Sequence, residues 1–146
     1  MKSTLVTMTL KTLHFDQLRM EKPTLPLALA LSTTSTPILT RTKFLIDTGN
    51  TLFAIISKET YLKLGKPKLK KQGVKVRTGN GITVLPIFDC ELVLETLDAD
   101  YAIECEIALS LTLPVDIIGS PALETICQKT DTDLVFNYRN KRIELR

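Results

Sequence analysis

Apolar and polar residues alternate along much of this chain. Between residues 101 and 111, Tyr101, Ile103, Cys105, Ile107, Leu109 and Leu111 fall on one side, and Ala102, Glu104, Glu106, Ala108 and Ser110 on the other. A period of two sustained over that length predicts a strand with one buried face. Residues 88–94 repeat the pattern, with Phe88, Cys90, Leu92 and Leu94 opposite Asp89, Glu91 and Val93. The polar link over 95–100 predicts a hairpin between the two strands. A second hairpin is expected over 74–85, where Val74-Lys75-Val76-Arg77-Thr78 and Ile82-Thr83-Val84-Leu85 flank Gly79-Asn80-Gly81. Asn-Gly between β-rich arms favours a turn that needs positive φ. Further strands are expected at 25–31 and 38–46, separated by a Ser/Thr-rich loop that closes at Pro37. Residues 134–136 and 143–145 suggest a C-terminal pair.

Helical signals are short. Ser57 is placed to cap a helix over 58–64, with Gly65 ending it. Ser120 is placed to cap a second, with Pro121 at its first position and residues 122–127 following. The pattern therefore predicts a mainly β domain with one or two short helices. Residues 1–22 read as an N-terminal extension, strand or linker: Val6, Met8 and Leu10 alternate as in a strand, and 14–22 suits a helix or a loose segment. Residues 23–146 read as the folded domain.

Composition narrows the class. The chain has 146 residues, 44% hydrophobic and 24% charged, the balance of one ordinary globular domain and not of a disordered tail. Its 19 Lys and Arg against 16 Asp and Glu leave a net charge of +3, too weak to argue for nucleic-acid binding. The basic stretch Lys66, Lys68, Lys70, Lys71, Lys75 and Arg77 has no aromatic residue interleaved for base stacking, so it reads as a solvated surface. No apolar run approaches the ~20 residues of a membrane helix, and the start lacks a basic-then-apolar signal pattern. Neither a nucleic-acid nor a membrane partner is expected. Cys90, Cys105 and Cys127 are widely spaced and the single histidine is His14, so no metal site and no cofactor is expected. Reduced, buried thiols in a cytoplasmic, intracellular protein are the plainer reading.

The stretch that carries chemistry is Phe44-Leu45-Ile46-Asp47-Thr48-Gly49. Three apolar residues end a strand and deliver a carboxylate, a hydroxyl and a glycine. A carboxylate at the end of a buried strand needs a reason, because burying charge is costly unless it is paired or hydrogen-bonded. Taken alone, the tripeptide fits an Asp making an Asx-turn at a strand end. A second stretch changes that balance. Leu113-Pro114-Val115-Asp116-Ile117-Ile118-Gly119 is an apolar strand ending in glycine and followed by the expected helix at Ser120.

Asp-Thr-Gly after an apolar strand, then a flap-like hairpin, then Ile-Ile-Gly opening a short helix, resembles the retropepsin family of aspartic proteases, those of retroviruses, retrotransposons and their domesticated relatives. The resemblance covers roughly residues 23–136. It implies an acid-protease β-barrel with one lobe per chain. The chain has one Asp-Thr-Gly, so the second carboxylate of an aspartic-protease pair must come from a second copy, and a homodimer follows. The resemblance implies that Asp47 is catalytic and that Thr48, Gly49 and Asn50 complete the active-site loop. It makes Thr78, Gly79, Asn80, Gly81 and Ile82 the tip of a flap. Leu45, Leu52, Phe53, Ile82 and Ile117 become candidates for substrate pockets. The implied substrate is an extended peptide, such as a polyprotein segment.

The chain departs from the family at several positions. Asn50 stands where most members have alanine. Thr51 and Leu52 replace acidic residues, and Ser120 replaces the arginine that pairs with one of them in lentiviral members, so both partners of that pair are gone together. Pro121 stands where Asn or Asp is common. These departures leave an alternative open: a catalytically weak or inactive module of the same fold, kept for dimerisation or peptide binding.

Overall fold

The computed structural model describes residues 23–31, 39–79, 81–140 and 142–146. The strand expected around Val6, the Ser/Thr-rich loop before Pro37, and His14 lie outside the described residues. Ten strands and two helices are seen among those described. They are β1 (Thr24–Ala30), β2 (Thr40–Asp47), β3 (Ala54–Ser57), α1 (Lys58–Lys63), β4 (Val74–Thr78), β5 (Gly81–Leu85), β6 (Ile87–Glu95), β7 (Asp100–Ser110), β8 (Asp116–Gly119), α2 (Ser120–Thr130), β9 (Leu134–Asn137) and β10 (Arg142–Leu145).

Six strands close a barrel in the order β1, β2, β8, β3, β7, β6. Most neighbours are antiparallel, but β2 runs parallel to β8, and β3 parallel to β7. The long hairpin β6–β7 carries the alternation read from the sequence. Cys90 lies opposite Cys105 and Leu92 opposite Ile103, so each apolar position meets an apolar position across the strand. Phe44, Phe88, Leu92, Ile107 and Ile118 are fully buried inside the barrel. Each contributes about 1.5–3 kcal/mol by leaving water. Ala28, Ala30 and Val93 form a smaller cluster on the opposite face of β1 and β6. That second cluster explains why Val93 is buried although its side of the strand was expected to be polar.

The structure corrects several local expectations. Strand β7 ends at Ser110, and Leu111 lies beyond it, 68% exposed. The Ser110 hydroxyl accepts the N–H groups of Thr112 and Leu113, which turns the chain out of the sheet. Ala108 and Ser110 are buried as well, in the stretch of β7 that pairs with β3 inside the closed barrel. Strand β3 has no signal of its own in the pattern, since all four of its residues are buried. Ser57 caps α1 as expected, its hydroxyl accepting the Thr60 N–H. Ser120 is not a cap. Gly119 holds the cap position without a side chain, Ser120 is the first helical residue, and α2 runs on to Thr130. Asp131 ends it in the left-handed conformation, donating its N–H to the last carbonyls.

The two remaining pairs are separate two-stranded sheets, the C-terminal one packed into the main core through Ile143 and Leu145. Strands β4 and β5 form a hairpin in which Thr78 pairs with Gly81, and β9 and β10 form a C-terminal hairpin. No described helix is long and apolar enough to cross a membrane.

Candidate active site

The parallel pairing of β2 and β8 builds the site. Phe44, Leu45, Ile46 and Asp47 lie in register with Asp116, Ile117, Ile118 and Gly119. Both motifs singled out in the sequence therefore end side by side, and Asp47 faces Gly119 across the ladder. Beyond β2 the chain turns sharply. Asn50 donates its N–H to the Asp47 carbonyl at 3.0 Å, and Gly49 donates its N–H to Asp47 Oδ1 at 3.2 Å. The Asp47 side chain is exposed, its carboxylate aligned by the loop that follows it.

The same loop is anchored to the start of α2. Ser120 donates its N–H to the Asn50 carbonyl at 3.0 Å and its hydroxyl to the Thr48 carbonyl. Gly119 donates its N–H to the Phe53 carbonyl at 3.0 Å. The Asn50 amide oxygen accepts the Leu52 N–H at 2.9 Å, an Asx-turn that uses the side chain locally. The approach is so close at Gly119 that an added Cβ would lie 1.9 Å from the Leu52 carbonyl oxygen. Only glycine fits there.

Asp116 braces the other end of β8. It is buried, at 4% exposure, and its carboxylate accepts the Ser57 N–H at 2.8 Å, the Thr60 hydroxyl at 2.6 Å and the Thr42 hydroxyl. One side chain thus ties β2, β3, α1 and β8 together. This residue has no local signature in the sequence as a buried anchor. Its three donors come from positions 56 to 74 residues away, and only the fold reveals them.

An open cleft of about 680 Å³ lies over this floor. Asp47, Gly49, Asn50, Thr51 and Leu52 line one side, with Ile55 and Ile117. The β4–β5 hairpin lines another through Lys75, Val76, Arg77, Thr83, Val84 and Leu85. The loop around Leu111 and Leu113 completes it. Of the pocket candidates, Leu52 and Ile117 border the cleft. Phe53 packs against the barrel core and borders a separate hollow of about 310 Å³ beside Cys105. Leu45 is half-buried beside Ile117 in the ladder, outside the cleft lining. Ile82 is 66% exposed near the hairpin end and also outside the lining. Gly79 and Gly81 sit at that end with open space around them, and Gly81 holds φ +117. Asn80 lies outside the described residues. Lys75, Arg77 and Val84 also line the cleft; the sequence alone placed Lys75 and Arg77 on a solvated basic surface and gave no sign of Val84.

The cysteines stand away from this chemistry, outside the cleft lining. All three are free thiols. Burial pushes Cys90 and Cys105 up to about 12, and Cys127 upward as well. They remain protonated, poorly nucleophilic thiols at neutral pH.

No protein-family model matches the chain, and no curated protein sequence matches it either. Solved structures do. A retropepsin-like aspartic protease from Rickettsia conorii matches over 94% of this chain and 100% of its own, with a TM-score of 0.55 at 18% identity. EIAV protease complexed with an inhibitor matches over 80% of this chain and 94% of its own, with a TM-score of 0.47 at 20% identity. The chain has the retropepsin-like fold: mainly β, a closed six-stranded barrel with two short helices.

Proposed function

We propose that the protein is an aspartic endopeptidase that works as a homodimer, with Asp47 of each copy forming the catalytic pair. The observation that carries this reading is the exposed Asp47 carboxylate in a cleft that the β4–β5 hairpin also lines, in this fold. One chain brings one Asp47, and the chemistry needs two. Two carboxylates held close share a proton, because both cannot ionise together. The ionised one takes a proton from a water, whose oxygen attacks the scissile carbonyl. The protonated one donates to the carbonyl oxygen. The tetrahedral intermediate then collapses, and a proton passes to the departing amine.

In this reading Thr48 contacts the partner loop across the dimer axis, and Gly49 bonds the substrate backbone. The β4–β5 hairpin, with Gly79, Asn80 and Gly81 at its end, closes over an extended peptide bonded as an added strand. Processing of an intracellular polyprotein fits such a cleft. The inactive-module alternative drew on Asn50 and Pro121. The Asn50 side chain is engaged by Leu52, and Pro121 sits in the first turn of α2, where its missing N–H costs nothing. Both observations favour the active reading.

The test is cleavage of a peptide library at about pH 5 by wild type and by Asp47→Ala, both at high micromolar concentration. Cleavage by the wild type alone is expected. A folded, dimeric wild-type protein that cuts nothing refutes the proposal, and equal cleavage by both proteins refutes the role of Asp47.

A further inference from the structure

We infer that the cleft selects extended peptides carrying carboxylate side chains beside the cleaved bond, with Lys75 and Arg77 as the groups that read them. The inference rests on the peptidase reading above and names its substrate class. Lys75 and Arg77 both line the cleft, and both are exposed. Neither is held by a carboxylate among the described residues. Asp47 is the sole acidic residue among those that line the cleft. Nearby acidic side chains are accounted for elsewhere. Asp89 and Glu106 are bridged by Lys70, and Glu104 borders the smaller hollow with Glu106. The walls are otherwise apolar or neutral: Leu52, Ile55, Val84, Leu85, Leu109 and Ile117.

Spacing makes the match specific. Lys75 and Arg77 are two residues apart on β4, so their side chains leave the same face of the strand about 6.6 Å apart. An extended substrate has the same repeat, so carboxylates two residues apart fall opposite the two cations. Lys75 offers a compact point charge, and Arg77 a planar fork that grips a carboxylate through two hydrogen bonds. A basic peptide would meet like charge, which costs affinity and slows encounter. A nucleic acid would also meet these cations. A peptide is favoured because the cleft lining carries no aromatic residue for base stacking and sets the Asp47 carboxylate, which repels phosphate, on the same floor.

Three fluorogenic peptides with one apolar scissile pair and Glu, Gln or Lys at the flanking positions provide the test. It is run at about pH 6, where Glu side chains are ionised. The wild type is expected to cut the Glu peptide with a kcat/KM about tenfold above the Gln peptide, shrinking at high salt. The Lys75→Gln/Arg77→Gln variant should bring that ratio close to one, and Lys75→Glu/Arg77→Glu should shift preference to the Lys peptide. Circular dichroism verifies that both variants are folded. In parallel, non-cleavable versions of the peptides are titrated against Asp47→Asn by fluorescence anisotropy. Cleavage of all three peptides at equal rates overturns the inference and leaves the peptidase reading standing. No cleavage, but tighter binding of the Glu peptide, sinks the peptidase reading and keeps the charge selection. Equal binding of all three peptides, or stronger binding of a single-stranded oligonucleotide lost in the double variant, overturns the inference.

Discussion

Replacing Gly119 by alanine should damage this protein more than any other single methyl group added to its described glycines. The backbone there is ordinary, with φ −98 and ψ 173, so alanine meets no torsional penalty. The obstacle is space. The new Cβ would stand 1.9 Å from the Leu52 carbonyl oxygen and 2.7 Å from that of Asn50. A comfortable carbon–oxygen contact is about 3.3 Å, so one backbone must withdraw by about 1.4 Å. Neither atom is the end of a flexible side chain. Withdrawal pulls on the Gly119–Phe53 and Ser120–Asn50 hydrogen bonds, both 3.0 Å. Two lost bonds at about 1 kcal/mol each, with about 1–3 kcal/mol of overpacking, give about 3–5 kcal/mol of destabilisation. The same shift moves the loop that carries Asp47, and a misplacement of about 1 Å costs about a hundredfold in rate. Urea unfolding and peptidase assays measure the two effects separately. Gly49→Ala is the control for the unfolding measurement alone, since its Cβ would meet only Asp47 Oδ1 at 3.5 Å, an ordinary contact. If Gly119→Ala unfolds within about 0.5 kcal/mol of wild type, the close approach is not what holds this loop.

Asp116→Ala strips three donors of their acceptor, leaving the Ser57 N–H and the Thr42 and Thr60 hydroxyls to find others. A loss of about 3–5 kcal/mol is expected in urea unfolding, and a loss below about 1 kcal/mol would mean the anchor is dispensable. Ser120→Ala removes the hydrogen bond to the Thr48 carbonyl. Stability should fall by about 1 kcal/mol, and a larger proportional fall in activity is expected because the bond holds the active-site loop. Cys90 gives a pH prediction. Burial raises its thiol from the ordinary 9.0 to about 12, so its contribution is intact below pH 9 and lost as pH rises toward 12. Over that window the unfolded chain sheds a proton that the native state keeps, and stability falls by up to about 1.4 kcal/mol per pH unit. Between about pH 8 and 10, wild type should lose about 1.4 kcal/mol in total relative to Cys90→Ala, most of it above pH 9, and parallel curves refute the assignment.

Most of the barrel strands, but not β3, were legible because their chemistry is local. Period-two alternation in β6 and β7, the Gly-Asn-Gly signal between β4 and β5, and the Ser57 cap all follow from neighbours in sequence. What was hidden depends on partners far along the chain. Strand β3 is buried on both faces, so Ala54-Ile55-Ile56-Ser57 shows no alternation to read. Ser120 looks like a cap from its neighbours, yet its hydroxyl turns to the Thr48 carbonyl, 72 residues earlier. The Asp-Thr-Gly and Ile-Ile-Gly motifs were visible in the sequence, and their side-by-side register is a property of the parallel β2–β8 ladder. Lys75 and Arg77 read as part of a solvated basic run until the hairpin brings them to the cleft wall.

Two aspartates on neighbouring strands show how this fold divides labour between carboxylates of identical chemistry. Asp116 opens β8 and Asp47 ends β2, the two in the same parallel ladder. Asp116 is buried, and both of its oxygens are occupied by donors from three other elements. With three donors on its two oxygens and no exposure to the cleft, it is available for holding strands together and for little else. Asp47 is exposed, and the one donor on its carboxylate among the described residues is the Gly49 N–H, on Oδ1. That leaves Oδ2 and the remaining lone pairs free to meet a water, a proton or a second carboxylate. The environment, not the residue type, decides which aspartate is structural and which can react. The first fixes the strands, the strands fix Gly119, and Gly119 sets the position of the loop on which the second is presented.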